Sequence, residues 1–149
     1  MIVKSLDHLN SISAKISKKL KKGDCIFLIG EIGVGKTTFT RHLINNLQKQ
    51  NGLKETEVLS PTFNLLYEYD IKDLKIMHYD LYRIKKASEL EHLGIFLDKK
   101  DTIKIIEWPQ LINFPLPDKL EIHLDYVKNE KEREIKFIGS GKWKTLNEL

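Results

Sequence analysis

Cysteine is nearly absent from this sequence, with Cys25 alone among 149 residues. A single thiol excludes an internal disulfide, and its position at the start of an apolar segment favours a role as a small core residue. The longest apolar run is the five residues 25–29, far short of the roughly 20 that cross a bilayer. The first residues also lack the apolar core of a secretory signal. These features predict a cytoplasmic protein that does not associate with membranes.

Arginine is scarce too, and its scarcity limits what the positive charge can mean. The net charge is +4, but only three of the 25 cationic residues are arginines. Such a charge weakly favours an acidic partner such as RNA, and a lysine-rich solvated surface explains it equally well. The four lysines within residues 18–22 either complement the end of a helix, which we favour, or contact nucleic acid. The length predicts a single domain over residues 1–149.

A glycine-rich segment follows the apolar run. Residues 30–38 read GEIGVGKTT and match G-x-x-x-x-G-K-[ST], the phosphate-binding loop, between a strand-like and a helix-like segment as the motif requires. Glycines allow backbone N–H groups to surround a triphosphate, and the amino end of the next helix adds positive potential. Lys36 is expected to contact the β- and γ-phosphates, and the Thr37 hydroxyl to bind Mg²⁺. The nucleotide-binding residues predicted in this loop are Glu31, Ile32, Gly33, Val34, Gly35, Lys36, Thr37 and Thr38.

Apolar spacing predicts the helices around this loop. A period near 3.6 residues predicts an amphipathic helix over residues 5–21 and another from the loop to about residue 51. A short helix closed by Gly94 is expected over residues 87–93.

Strand patterns complete the predicted fold. Residues 65–69 and 75–80 should pair as an antiparallel hairpin, and residues 102–108 should form a strand stopped by Pro109. Alternation over residues 120–126 and 135–137 predicts a second hairpin, interpreted as antiparallel edge strands. We therefore expect an α/β fold of the P-loop NTPase type, with a largely parallel central sheet, added antiparallel strands and helices on both faces.

Two acids are expected beside the phosphate loop. Asp80 and Glu107 each end a predicted strand, and ligands of open α/β sheets bind at the carboxyl ends of strands. Hydrolysis needs an acid that holds the metal and a residue that orients water. We predict that Asp80 binds Mg²⁺ directly or through water, and that Glu107 contacts the water shell of the metal or the attacking water. The alternative for each is a strand-end cap or salt bridge.

Four further residues are candidates for supporting roles. Thr62 lies on a loop that is able to close over the γ-phosphate, although a simple turn hydroxyl would look the same. Trp108 follows Glu107 and is a candidate for signalling the nucleotide state to a partner, or else a core aromatic. Arg83 is a candidate phosphate or partner contact. We interpret His78 as structural.

Missing motifs narrow the function further. No N-K-x-D element is present, so guanine selectivity is unsupported. A small-molecule kinase would need several arginines around the phosphates of its two substrates. Because this sequence has only three arginines and they are scattered, we favour an ATPase over a kinase. A binding module that nucleotide switches without hydrolysis is the other alternative.

Five segments together resemble the TsaE (YjeE) family. They are GEIGVGKTTFTR at 30–41, SPTF at 60–63, HYDLYR at 78–83, ELEHLG at 89–94 and IEWP at 106–109. Many ATPases share the first segment, whereas the set formed with SPTF, HYDLYR and IEWP is far more specific. The resemblance covers most of residues 23–125.

The resemblance implies a function that the residues alone do not. TsaE proteins bind ATP and Mg²⁺, hydrolyse ATP slowly and act with TsaB and TsaD, which transfer a threonylcarbamoyl group to N6 of adenosine 37 in tRNA. The ATP cycle is thought to reset TsaB and TsaD between turnovers, with tRNA contacted indirectly through the complex. By this resemblance the nucleotide and metal site contains Lys36, Thr37, Thr62, Asp80 and Glu107, with Trp108 as a functional neighbour.

Overall fold

The computed structural model describes residues 1–95, 101–113 and 115–146. Its strands are β1 (Ile2–Val3), β2 (Cys25–Ile29), β3 (Leu66–Ile71), β4 (Leu74–Asp80), β5 (Thr102–Glu107), β6 (Lys119–Tyr126) and β7 (Arg133–Gly139). Its helices are α1 (Leu6–Ser17), α2 (Lys36–Gln50) and three short 3₁₀ segments at Ala87–Leu93, Pro109–Leu111 and Gly141–Thr145. Within the described ranges no helix is long and apolar enough to cross a membrane.

The strands form one sheet in the order β1, β7, β6, β2, β5, β4, β3. The central strands β6, β2, β5 and β4 run parallel, while β3, β7 and β1 are added in antiparallel pairs. The expected α/β architecture is therefore confirmed, including the hairpin of β3 and β4. Because β2, β4 and β5 run in one direction, the loops after them lie at the same edge of the sheet.

Alternating side chains of β2 place the core on both faces of the sheet. Ile26 and Leu28 are buried in the cluster formed with α1 and α2. Cys25 and Phe27 face the opposite side, where Leu90 of the 3₁₀ helix Ala87–Leu93 belongs to the second cluster. Helical segments thus cover both faces, with the two α-helices together on one of them. Burial raises the pKa of the Cys25 thiol to about 12, which agrees with its predicted core role.

The first helix ends earlier than its apolar spacing predicts. It begins where the Ser5 side chain accepts a hydrogen bond from the His8 N–H at 3.1 Å. After Ser17 the hydrogen bonds span three residues instead of four, as in a 3₁₀ turn: the Leu20 N–H donates to the Ser17 carbonyl at 3.3 Å. Leu20 is still buried, so it continues the apolar pattern although it lies beyond the α-helix.

The interpretation of the second hairpin as a pair of edge strands is wrong for β6. The hairpin with β7 forms, but β6 also pairs in parallel with β2 and lies inside the sheet. Alternation reports that one face of a strand is buried; it does not report which strands lie beside it. The outer position beyond β7 is taken by β1, where Ile2 pairs with Glu134, and two residues are too few to show a period.

The 3₁₀ segment Gly141–Thr145 is not among the elements that the sequence predicts. Its Trp143 is 2% exposed and belongs to the same cluster as α1 and α2. Gly139 at the end of β7 allows this approach, because a Cβ there would collide with the Trp143 carbonyl. The segment therefore closes the core beside β6 and β7.

Replacing Trp143 by alanine should test that packing. Trp143→Ala is expected to lower the free energy of unfolding by about 3–5 kcal/mol, because it leaves a cavity in the core. Urea unfolding would measure the change. Ile138→Ala is the control, since Ile138 is 57% exposed and should change stability by no more than about 0.5 kcal/mol. Equal effects of the two substitutions would contradict the packing described here.

Candidate nucleotide-binding site

A cleft of about 330 Å³ opens at the carboxyl ends of β2, β4 and β5. Its walls come from the glycine-rich loop, from the loop before β3, and from the residues that end or follow β4 and β5. The lining residues are Ile32, Gly33, Gly35, Lys36, Thr37, Thr38, Ser60, Thr62, Asp80, Tyr82, Glu107 and Trp108.

The glycine-rich loop is held from outside by the β6–β7 hairpin. Gly33 and Gly35 have φ of 79° and 120°, values that strain any residue with a Cβ. The Tyr126 hydroxyl donates to the Ile32 carbonyl at 3.1 Å, and Arg133 Nε donates to the Val34 carbonyl at 2.9 Å. Two carbonyls of the loop are thereby satisfied on its outer side.

Lys36 is the cation of the cleft. Its Nζ donates to the carbonyls of Gly30 at 2.6 Å and Glu31 at 2.9 Å, and lies 4.3 Å from the centroid of the Trp108 ring. The residue is 5% exposed. Burial lowers the pKa of this ammonium from its usual value, and the carboxylates of Glu107 and Asp80 offset part of that effect.

Glu107 meets the start of α2. The Thr37 hydroxyl donates to both carboxylate oxygens, at 3.1 Å to Oε1 and 3.2 Å to Oε2. His78 Nε2 lies 2.7 Å from Oε2 on the other side. Glu107 is 2% exposed and His78 is fully buried, so this carboxylate is enclosed by hydrogen-bonding partners.

Asp80 lies beside Glu107 in the register of β4 and β5. Its Oδ2 accepts from the Thr62 hydroxyl at 2.9 Å, and its Oδ1 accepts from the Tyr82 N–H at 2.9 Å. Ser60 lies 2.8 Å from the Thr62 hydroxyl. These bonds connect the loop before β3 to the end of β4, and they bring Thr62 into the cleft.

Trp108 lines the cleft beside Tyr82. Its φ of 59° is unusual for a bulky residue and turns the chain sharply after Glu107. Its ring lies 4.9 Å from that of Tyr82, centroid to centroid. Such a backbone conformation costs about 1–3 kcal/mol and is found most often at functional sites.

Most, but not all, predicted site residues line this cleft. Glu31 is outside the lining of the cleft, and its carbonyl accepts from Lys36 Nζ at 2.9 Å and from the Val34 N–H at 3.2 Å. Val34 is buried and lines a neighbouring cavity. Arg83 is exposed and lies 5.4 Å from the centroid of the Phe63 ring. The roles predicted for these three residues stay predictions.

No role in the cleft was predicted for Ser60, Tyr82 or His78. Ser60 and Tyr82 line it, and both lie in short segments that also contain Thr62 or Asp80. His78 was interpreted as structural, yet it contacts Glu107 directly. For His78, the signal in the sequence is the period of two along β4, which places its side chain on the same face as that of Asp80.

A second cavity of about 220 Å³ lies behind the loop and shares Gly33, Gly35 and Thr38 with the cleft. Its other walls come from the amino-terminal residues, from Val34 of the glycine-rich loop and from the β6–β7 hairpin. They are Val3, Ser5, Leu6, Leu9, Val34, Leu124, Lys131 and Arg133.

Similarity to known proteins agrees with this geometry. The family model "Threonylcarbamoyl adenosine biosynthesis protein TsaE" matches residues 3–135. The chain belongs to the TsaE family. This is a family of P-loop proteins of the nucleotide-binding, ATPase type.

Two relatives and one solved structure illustrate the likeness to TsaE proteins. A TsaE protein of Rickettsia typhi is 37% identical over 77% of this chain and 78% of its own length. A TsaE protein of Borreliella burgdorferi is 33% identical over 97% of this chain and 96% of its own length. The crystal structure of Bacillus subtilis YdiB superposes with a TM-score of 0.72 at 26% identity, covering 98% of this chain and 88% of that one.

The buried ammonium of Lys36 predicts an opposition between stability and function. Its lowered pKa means that the charged form costs the folded state free energy at neutral pH. Stability contributed by this group should therefore rise with pH, from the folded pKa up to the unfolded value near 10.4. Lys36→Met should raise the free energy of unfolding of the nucleotide-free protein at pH 7, and this gain should shrink as the pH approaches that value.

Urea unfolding at several pH values would measure this gain. Lys128→Met is the control, because Lys128 is exposed and its replacement should change stability by at most about 0.5 kcal/mol at any pH. A Lys36→Met variant less stable than the parent at pH 7 would contradict the electrostatic argument.

Proposed function

We propose that this chain binds ATP with Mg²⁺ in the cleft, hydrolyses it slowly, and serves the threonylcarbamoyladenosine modification of tRNA. In this proposal it acts with TsaB and TsaD, resets them between turnovers, and meets tRNA through that complex. The names of its relatives support the pathway. The observation that carries the chemistry is the convergence of Lys36, Thr37, Asp80 and Glu107 at one edge of the sheet.

The loop supplies what a polyphosphate requires. Gly33 and Gly35 permit the tight turn, and α2 begins at Lys36 with its amino end towards the cleft. Lys36 is held by two carbonyls, which are neutral dipoles. A phosphate with full negative charge therefore competes well for the ammonium.

The oxygen donors of the cleft suit Mg²⁺. Thr37 and Thr62 offer hydroxyls and Asp80 and Glu107 offer carboxylates, and in nucleotide sites this ion characteristically takes one or two carboxylates besides phosphate oxygens and water. The Thr37 hydrogen is directed to Glu107, so the lone pairs of its oxygen are left for a cation. When bound, the ion would neutralise charge that develops on the phosphates.

Glu107 and Asp80 are the groups that would handle water. In the described residues no other acidic side chain lines the cleft. Hydrogen bonds fix both carboxylates, and fixed acceptors orient a water molecule without reorganising during the reaction. Glu107 would act on the attacking water or on a water bound to the metal, and Asp80 on the metal directly or through water.

The second cavity is the space we assign to the nucleoside. It shares Gly33, Gly35 and Thr38 with the cleft, so a ligand that follows the loop passes from one into the other. Leu6 and Leu9 give it an apolar wall, and Lys131 gives it a positive end. This combination suits a base and ribose attached to phosphates.

The decisive experiment combines calorimetry with a modification assay. Wild-type chain should release heat with Mg-ATP, and Lys36→Ala should abolish it. Glu107→Gln should still bind while hydrolysis with TsaB and TsaD falls about 10²-fold or more, as expected when a positioned acid or base is removed. Glu121→Gln is the matched control, since Glu121 lies on β6 and is paired with Lys119 outside the cleft.

The same assay separates the proposal from its alternatives. If Glu107→Gln supports one round of tRNA modification but not repeated rounds, hydrolysis resets the partners. Repeated rounds with a non-hydrolysable ATP analogue would instead identify a nucleotide-gated binding module. Transfer of labelled γ-phosphate to a metabolite would identify a kinase, although none of the three arginines lines the cleft in the described residues.

The assignment of the nucleoside to the second cavity is testable by itself. Leu6→Ala removes apolar surface at its rim and should weaken ATP binding about fivefold, or about 1 kcal/mol. Binding of inorganic tripolyphosphate should not change, because that ligand lacks a base. Calorimetry with both ligands would measure this, with Leu53→Ala as the control beyond the end of α2. If Leu6→Ala weakened the binding of ATP and of tripolyphosphate equally, the base would lie outside the second cavity.

A further inference from the structure

His78 is fully buried and touches the proposed reaction centre without lining the cleft. It lies on β4 two residues before Asp80, so the two side chains share one face of the sheet. That face also carries Glu107, because Asp80 and Glu107 are neighbours in the parallel register of β4 and β5. His78 is 0% exposed, and its Nε2 lies 2.7 Å from Glu107 Oε2.

The direction of this hydrogen bond follows from its partners. An ionised carboxylate only accepts, so His78 Nε2 must carry the hydrogen. His78 Nδ1 has no hydrogen-bond partner among the described residues. An unprotonated Nδ1 fits that environment, since a buried N–H left unpaired is far more costly. The neutral Nε2–H tautomer therefore satisfies both nitrogens best.

Two side-chain donors then fix one carboxylate. Nε2 of His78 holds Oε2, and the Thr37 hydroxyl spans both oxygens of Glu107. Lys36 is the competing partner, because it precedes Thr37 in the chain and lines the same cleft as Glu107. A carboxylate released from His78 is free to turn towards Lys36 and occupy the cation that phosphate needs.

We propose that His78 is a positioning residue, whose hydrogen bond to Glu107 keeps that carboxylate on the Thr37 hydroxyl and away from Lys36. This inference rests on the proposed function of the cleft. It assigns to His78 an effect on nucleotide binding that acts through Glu107, rather than a contact with nucleotide or metal. Groups that support a metal ligand in this way typically contribute about 10–100-fold to affinity or activity.

Three substitutions of His78, which differ in side-chain length and in hydrogen-bonding capacity, test the proposal. Glutamine places its side-chain N–H close to the position of Nε2, whereas asparagine is too short and leucine has no donor. His78→Gln should retain Mg-ATP affinity within about threefold, and His78→Asn and His78→Leu should lose about 10–100-fold. Binding of ATP in the presence of EDTA should also weaken in the asparagine and leucine variants, because a carboxylate on Lys36 competes with phosphate whether or not Mg²⁺ is present. Calorimetry measures both, and urea unfolding reports stability separately.

A matched pair on β6 supplies the control. His123 Nε2 lies 3.1 Å from Glu121 Oε2, and neither residue lines the cleft. His123→Asn should leave Mg-ATP binding unchanged. In a Glu107→Gln background, His78→Asn should add less than about twofold, because coupled residues are not additive. A full additional loss there would overturn the proposal, as would equal behaviour of the glutamine and asparagine variants.

A measurement without ligand completes the test. Proton–nitrogen correlation spectra of the imidazole should show His78 protonated at Nε2 and bare at Nδ1 in the free protein, and the Nε2–H signal should shift in Glu107→Gln. The opposite tautomer would overturn the inference. If wild-type chain binds Mg-ATP and the His78 variants bind it equally well, positioning fails and the proposed function stands. If wild-type chain binds no Mg-ATP, both fail.

Discussion

The parallel register of β4 and β5 sets Asp80 directly beside Glu107. Both side chains point to the face on which α2 begins, so the first turn of that helix meets them. A shift of one residue between the strands would turn one carboxylate to the opposite face. Buried isoleucines on both strands, Ile76, Ile103 and Ile105, pack under the α-helices and hold the register. The cleft thus depends on apolar packing two to four residues before its carboxylates on the same strands.

Sequence analysis succeeded where the signal was local. The strand β2, the glycine-rich loop and α2 follow each other without interruption, so the motif and its flanking periods predicted all three. Asp80 and Glu107 were found because each ends an apolar strand. The structure brings both to the cleft, and their catalytic roles remain proposals. Their hydrogen-bond partners were not predictable, because Thr37 and Glu107 are 70 positions apart and meet only through the sheet order.

The features that sequence analysis missed depend on contacts between distant segments. Alternation along β6 showed one buried face, but it did not indicate that β2 lies beside this strand in parallel. Tyr126 and Arg133 brace the glycine-rich loop, although in the sequence they look like ordinary surface residues of a hairpin. The same holds for His78. The sequence indicates a structural residue, and the fold shows that its Nε2 contacts Glu107. A sequence pattern identifies the buried face and the ends of a strand, whereas contacts between residues of different segments are found only in the structure.

The carbonyls of Gly30 and Glu31 give Lys36 two hydrogen bonds before any ligand arrives. Chloride, acetate and other ions of low charge density gain little by replacing such partners, because they must also leave bulk water. A chain of phosphates bearing several charges gains much more. Under the proposed function, the two resting contacts of this one lysine therefore favour polyanions over simple salts as ligands of the cleft.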